Sequence, residues 1–507
     1  MKRSKRNITF TPIIHHGARH AHQITAMHLV IIAATLGVLL VIFAASLAPP
    51  LLVALWYQDG LANEFLLIQA VCAVIGIGLW LFSGKGEHHM RNRDGFAIAT
   101  LMWVVVSLLG SLPFIICLDM SLADAVFESA SAFTTTGATT IVGLDALPMS
   151  ILFYRAELQW LGGIGVIISA IALLPMLGVG GTQLLKAETP GPVKENQLTP
   201  RIRRTAQVVW TLYLVMTAAC AVCYWLAGMT PFDAVAHSFS TVSTGGFSTH
   251  DASLSYFNSP MIETVAVIFM MAGAMNFSLH FLVWRKRDLG AYLRNEEARA
   301  LIGLVIVTSL IIAWVLHDDG HYGNVTHTLR YGIFQVVSVV TSTGFGNSDF
   351  SVWPLMLPIL LMFISFVGGC AGSTAGGMKV IRMVVLAKQA GIEVKRLVHP
   401  NLVRPLTLDG KTVPNKIVQT VWAYFAIYVT AFCLLMLTLM QSGMDQLTAF
   451  SAVTTCLNNL GPGLGEVSAN FVTVTAIQKW MLSGAMLLGR LEIFTIFVIF
   501  TPAFWRA

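Results

Sequence analysis

The stretch SVVTSTGFGNSDF, residues 338–350, decides how this chain folds. It joins an apolar run to a turn of hydroxyl residues and glycine and ends on an acid. Two other stretches share its pattern. DAVFESASAFTTTGAT starts at Asp124 and DAVAHSFSTVSTGGFS at Asp233, and they align without a gap, Asp124 on Asp233 and Gly137 on Gly246. Residues 338–350 align with the second copy, Ser338 on Ser240, Gly344 on Gly246, Phe345 on Phe247 and Asp349 on Asp251. A fourth copy, DQLTAFSAVTTCLNNLGPG from Asp445, keeps the Ser/Ala/Thr part, but its glycine, Gly461, comes three places late. The register of that fourth turn is therefore open.

The turns stand in a chain of 507 residues that is 56% hydrophobic and 11% charged, with mean hydropathy +0.73. A soluble protein of this size needs a far more charged surface. Residues 27–47, 65–83, 96–118, 205–229, 264–284, 300–316 and 417–444 contain no charge. About 20 apolar residues cross a bilayer core as a helix, so each run can span. The chain reads as an all-α polytopic membrane protein. Its seven cysteines, Cys220 and Cys223 of a CxxC included, fall mostly in apolar runs and read as small apolar side chains, not as a disulfide framework or zinc site. The start MKRSKRN, with His15, His16, His20 and His22 after it, reads as a cytoplasmic tail ahead of a retained first helix.

Basic residues collect in cytoplasmic loops. Residues 1–23, 84–95, 179–206, 285–300, 378–416 and Arg506 hold 27 of the 31 lysines and arginines. The alternate segments hold Arg330 alone. Both termini are therefore expected inside, with an even number of crossings. The outer segments carry Asp59, Asp119, Asp124, Glu128, Asp145, Asp233, Asp251, Asp318, Asp319, Asp349, Asp445 and Glu466. They form an acidic mouth that attracts cations, or they fill loops from which basic residues are excluded.

Each copy thus reads as membrane helix, short half-helix, Thr/Ser-Gly turn, membrane helix. Non-helical backbone at membrane depth must be buried in protein or line a watery cavity. Four such turns converging on one axis would present a ring of carbonyls able to replace an ion's hydration shell. Glycine permits the backbone angles this needs. Oxygens without carboxylates suit a monovalent cation. The bland alternative is four re-entrant turns that only cap helices. An enzyme would need clustered His, Asp or Ser, and none is evident; His237 and His250 flank a turn without a catalytic partner.

The four turns, QWLGGIGV (159–166), GGCAGSTAGGMKVIR (368–382) and CLNNLGPGLG (456–465) resemble the Trk/Ktr/HKT superfamily of potassium transporters, most closely its bacterial Trk-type membrane subunit. The resemblance runs from about residue 24 to the end. It implies two leading helices plus four pseudo-symmetric membrane helix–pore helix–membrane helix repeats around a central pore. The expected units are 1–95 for the N-terminus and leading helices, then repeats at 96–206, 207–298, 299–415 and 416–507. It also implies potassium as substrate, no cofactor, a homodimer in the bacterial inner membrane and a cytosolic nucleotide-binding regulatory ring as partner. No nucleic-acid partner is expected. The implied potassium-binding filter is Thr135, Thr136 and Gly137; Thr244, Gly245 and Gly246; Ser342, Thr343 and Gly344; and Asn459, Leu460 and Gly461. Glycine at 137, where sodium-passing relatives carry serine, favours potassium.

Ten of the twelve residues in GGCAGSTAGGMK are small, and they cannot hold a straight helix well. The segment reads as a gate below the turns or as a plain helix break. Its gate residues would be Gly368, Gly369, Gly372, Ser373, Thr374, Gly376, Gly377 and Lys379. Gly372 and Gly377 have the separation of a nucleotide-binding loop, but Met378 stands where that motif needs lysine. Arg490 lies in the last apolar run, where a charge faces the interior or a partner. Within the family it faces the pore, as part of the gate and as a barrier. The other reading is an ion pair with Glu157 or Glu263. A proton- or sodium-coupled symporter is the competing function, although the acids in apolar runs are few: Glu157, Glu263 and Glu492.

Overall fold

The structure, a computed structural model, describes residues 17–83, 92–177, 198–354 and 356–505. The basic N-terminal tail with His15 and His16, the charged loops 84–91 and 178–197, and Arg506 lie outside the described residues. The chain is an all-α polytopic membrane protein, with one two-stranded hairpin, Thr407–Leu408 and Lys411–Thr412. Two helical legs lead: Gly17–Ser46 continued by Ala48–Tyr57, and Ala62–Phe82.

Four units of leg, half-helix and leg follow. The first legs are Asn92–Leu109 with Leu112–Leu118, Leu198–Leu226, Glu296–Asp318 and Asn415–Gln441. The half-helices are Leu122–Phe133, Pro231–Val242, Val325–Val340 and Gln446–Asn458. The second legs are Met149–Leu177; Pro260–Ala274 with Phe277–Lys286; Leu357–Ser365 with Val380–Val398; and Ala476–Arg490 with Glu492–Phe500. Among the described residues, six helices are long and apolar enough to cross a membrane, or up to eight if each bent pair counts as one span.

The second legs depart from straight spans. The uncharged run 264–284 is not one helix: it bends by 100° between Ala274 and Phe277. At the break the Asn276 side chain accepts the Ser278 N–H and caps a new helix. The last leg bends by 111° between Arg490 and Glu492. The third second leg is interrupted by an irregular stretch, 366–379, that includes the Gly-rich segment. Only the first, Met149–Leu177, runs unbroken.

The half-helices occupy the middle of the molecule, and Ala125 to Phe133 are all buried. The apolar core divides into large clusters centred on each repeat, the first shared with the leading helices. Exposed apolar side chains such as Phe82, Trp56, Val74 and Trp314 lie on the outer legs, as a surface in contact with lipid requires.

Candidate functional site: a ring of four turns

Each half-helix is held at its start by a side-chain cap. Ser121 accepts the Asp124 N–H, Thr230 the Asp233 N–H, Asn324 the Thr326 N–H, and Asp445 the Leu447 and Thr448 N–H groups. Each ends in the same motif. The N–H groups of Thr136, Gly245, Thr343 and Leu460 donate to carbonyls five residues back, on Ser131, Ser240, Ser338 and Thr455, each at 2.8 Å. Thr135, Thr244, Ser342 and Asn459 then adopt φ of 54°, 53°, 52° and 54°. Gly137, Gly246, Gly344 and Gly461 follow at 82°, 79°, 81° and 97°. A non-glycine residue at positive φ is uncommon, and four at equivalent positions mark one repeated conformation. The fourth turn therefore shares the register Asn459–Leu460–Gly461.

The late glycine now has a cause. Asp124 and Asp233 stand three residues inside their helices, whereas Asp445 is itself the cap. Counted from the cap, Gly137, Gly246 and Gly461 all come sixteen places later. The aspartate that anchors the sequence alignment is the wrong landmark.

The four turns close a ring. A Cβ added to Gly137 would fall within 3.0 Å of the Gly245 carbonyl oxygen, one on Gly246 onto that of Thr343, one on Gly344 onto that of Leu460, and one on Gly461 onto that of Thr136. Each turn thus abuts the next, and the fourth returns to the first. Thr135, Thr136, Thr244, Ser342, Thr343, Asn459 and Leu460 are buried, whereas Gly137, Gly246 and Gly344 are half-buried. The carbonyls of Thr136, Thr343, Leu460, Gly137, Gly246, Gly344 and Gly461 accept no hydrogen bond among the described residues. Carbonyls in a protein interior are ordinarily paired, so this unpaired set on adjoining turns marks a place for an external partner. The four half-helices aim their C-termini, the negative ends of their dipoles, at it.

Sequence reasoning quoted QWLGGIGV but missed what Gln159 does. Its Nε2 donates to the Gly245 carbonyl at 2.7 Å, and its Oε1 accepts the Phe247 N–H at 3.1 Å. Its amide fills the space that a Cβ at Gly245 would occupy, which is why this turn has glycine where two others have threonine. Arg155 was also missed. Buried with Glu128, it donates to that carboxylate at 2.9 Å and to the Ser248 carbonyl at 3.3 Å. It also lies 4.1 Å over the Phe247 ring.

The acids expected at an open mouth are largely committed elsewhere. Glu128 is buried against Arg155, and Asp124 is paired with Lys479. Asp251 accepts the Gly143 and Leu144 N–H groups, each at 3.0 Å. A hydrogen bond from His250 holds the Asp145 carboxyl below the ordinary aspartate range. The side chain of Asp445, bonded to Thr448, is held low in the same way. His237 contacts Ser248 Oγ at 2.9 Å and the Asp233 main-chain carbonyl at 2.8 Å, so it packs the second turn.

The Gly-rich segment lies against the ring. The Gly376 N–H donates to Ser342 Oγ at 2.5 Å, and the Gly377 N–H to the Asn458 carbonyl at 3.1 Å. Thr374 Oγ1 donates to the carbonyls of Val242 and Gly273, both at 3.0 Å. The Cys370 N–H reaches the Ala274 carbonyl at 2.8 Å. The segment thus satisfies backbone groups freed where the second repeat's leg breaks. Gly368, Gly372, Gly377 and Lys379 all have positive φ. Gly369 is packed against the Ala274 carbonyl, Ser373 Oγ turns back to the Cys370 carbonyl, and Lys379 Nζ donates to the Ala375 carbonyl.

Arg490 sits at the break of the last leg, buried, with Nη1 donating to the Thr374 carbonyl at 2.7 Å. The alternative reading, an ion pair with Glu157 or Glu263, is not met among the described residues. Glu263 is instead bound by Arg330 of the third half-helix at 2.6 and 2.8 Å. Glu157 Oε2 is buried without a hydrogen-bond partner among the described residues. Nε and Nη2 of Arg490 are likewise unpaired.

A family model described as "Cation transport protein" (TrkH) matches residues 62–507. The Trk system potassium uptake protein TrkH of Vibrio parahaemolyticus is 49% identical over 93% of this chain and 98% of its own length. That of Escherichia coli is 46% identical over 95% and 100%. The crystal structure of the potassium transporter TrkH from Vibrio parahaemolyticus superposes with a TM-score of 0.88, at 46% identity, over 94% of this chain and all of that one.

Proposed function

We propose, from the premise that the chain belongs to the TrkH family of cation transport proteins, that it takes up potassium across the inner membrane through a channel-like filter. The observation that carries this reading is the ring of unpaired carbonyls on four matching turns. Such carbonyls replace the hydration shell of a large monovalent cation as it loses water. Thr135, Thr136 and Gly137, with their three counterparts, are the proposed potassium ligands. The absence of a charged carboxylate in the ring keeps binding weak enough for release.

The segment 368–379 is the proposed gate, with Arg490 as its clasp and electrostatic barrier. It closes the path directly under the turns, and a cytosolic nucleotide-binding regulatory subunit would act on it from the cytoplasmic side. A homodimer is the proposed assembly. The test is uptake of rubidium and sodium by the full chain in proteoliposomes under a membrane potential. Rubidium uptake well above sodium supports the filter; equal uptake of both overturns it.

A second reading, proton-coupled symport, is favoured by one observation, the buried and unpaired Oε2 of Glu157. An acid in that setting is where a membrane protein would carry a proton. Uptake driven by an inward pH gradient at zero potential, and lost in Glu157→Gln, would support symport over a channel.

A further inference from the structure

Glu297 is the second residue of helix Glu296–Asp318. Its side chain is buried, and its Oε1 accepts the N–H of Ala371 at 2.7 Å, inside the Gly-rich segment. A buried N–H left without its acceptor is costly, so this bond is a firm hold on the segment. Other side chains that grip the segment, Ser342 and Arg490, belong to the turns and to the last leg. Glu297 differs in what lies behind it.

The start of its helix is fastened to the hairpin Thr407–Thr412. Asp409 Oδ1 accepts the Glu296 N–H at 2.7 Å, and Asp409 Oδ2 accepts Asn295 Nδ2 at 3.0 Å. Asn295 in turn caps the helix, its Oδ1 accepting the Ala298 N–H at 2.9 Å. Lys388, on the helix that leaves the Gly-rich segment, bonds both Glu296 and the Thr407 carbonyl. The hairpin itself is not loose. Leu406 and Val413 at its base pack with Val385, Ile392, Val418 and Val421 in a separate apolar cluster. A displacement of the hairpin must therefore move the helix start, and with it the carboxylate that holds Ala371. The charge pattern assigns this hairpin to the cytoplasm.

We propose that Glu297 is the latch of the gate segment, a positioning residue through which the hairpin at Asp409 sets whether the segment is held against the turns. The proposal rests on the reading of 368–379 as a gate. Cys370, buried beside Ala371, supplies a second measurement: it reacts with a thiol reagent only when the segment leaves its seat.

The experiment uses the full chain in proteoliposomes without a regulatory subunit. Glu297→Ala is expected to raise basal rubidium flux about fivefold, the shift in a closed–open balance that corresponds to losing one hydrogen bond. The rubidium-to-sodium ratio should stay unchanged, because the turns are untouched. Labelling of Cys370, resolved by peptide mass spectrometry, should accelerate in parallel. Glu297→Gln, which keeps an acceptor oxygen, should stay near the parent value, and Asp409→Ala should move both readouts in the same direction by less. A well-folded Glu297→Ala with unchanged flux and unchanged Cys370 protection overturns the latch. So does a rise accompanied by lost ion discrimination, which would place the effect in the turns. If Glu297→Ala does not fold, Asp409→Ala decides, and unchanged Cys370 labelling there overturns the proposal. Deleting 371–376 separates the two levels. If the deletion raises flux and Glu297→Ala does not, only the latch falls; if the deletion does not raise flux, the gate reading falls first.

Discussion

At the scale of single residues, the ring is decided by what has no side chain and by what fills the space left. Gly137 has φ of 82° and faces the Gly245 carbonyl. Gly137→Ser adds a Cβ in a conformation that disfavours one and pushes it into that oxygen. We predict lost potassium-over-sodium discrimination in flux assays with the protein still folded. Gln159 makes the reverse case. Gln159→Ala leaves the Gly245 carbonyl and the Phe247 N–H without partners, at a cost of about 1–3 kcal/mol, and thermal denaturation in detergent should show it. The same change should make Gly245→Thr tolerable, whereas Gly245→Thr alone collides with the Gln159 amide. Among the described residues Arg490 has no acid to strand. Arg490→Ala should therefore raise flux with a near-normal melting temperature, and a second change at Glu157 or Glu263 should restore nothing. The turn glycines, found at positive φ, and the inward place of Arg490, found buried, were legible in the sequence. The role of Gln159 was not, because its partner Gly245 is 86 residues away and only the ring brings the two together.

At the scale of elements, the half-helix is a unit defined by its two ends. Cap spacing, not the acid, carries the register in three of the copies; the third half-helix is longer, sixteen residues against twelve in the second, and its glycine comes correspondingly later. The signal for the fourth turn was therefore present in the sequence: Asp445 can cap a helix as well as Ser121 or Thr230 can. The second legs show the opposite. Nothing in the composition of 264–284 requires a bend of 100°, since a single asparagine is tolerated in many membrane helices. The bend holds because the Gly-rich segment receives the carbonyls that the break releases, those of Gly273 and Ala274. The break and the segment therefore depend on one another. Deleting 371–376 should raise basal rubidium flux, since the segment under the ring is gone, while the bent leg loses its partners and the melting temperature falls modestly. Lower flux in a well-folded deletion variant would assign the segment a structural role.

At the scale of the whole molecule, the repeats are held to one another by charge buried at their seams. Arg330 of the third unit binds Glu263 of the second, Lys479 of the fourth binds Asp124 of the first, and Arg155 of the first reaches Ser248 of the second. Arg155 and Glu128 are 1% and 0% exposed. Arg155→Ala should cost about 3–5 kcal/mol by leaving a buried carboxylate unpaired. Adding Glu128→Gln should recover part of the melting temperature, and failure to recover any would mean the arginine acts through Phe247 and Ser248 alone. Hydropathy, the segregation of basic residues and four recurrences of one turn sufficed to determine an all-α membrane protein with repeated half-helices. These are local properties, set by the transfer of side chains and backbone between water and lipid. The closing of the ring, the placing of Gln159 and Arg155 behind it, the bends in two legs and the tie from Asp409 to Ala371 were decided only in the tertiary structure. Each depends on a polar group finding its partner on a distant segment, and in a low-dielectric interior that pairing outweighs any local preference for a straight helix.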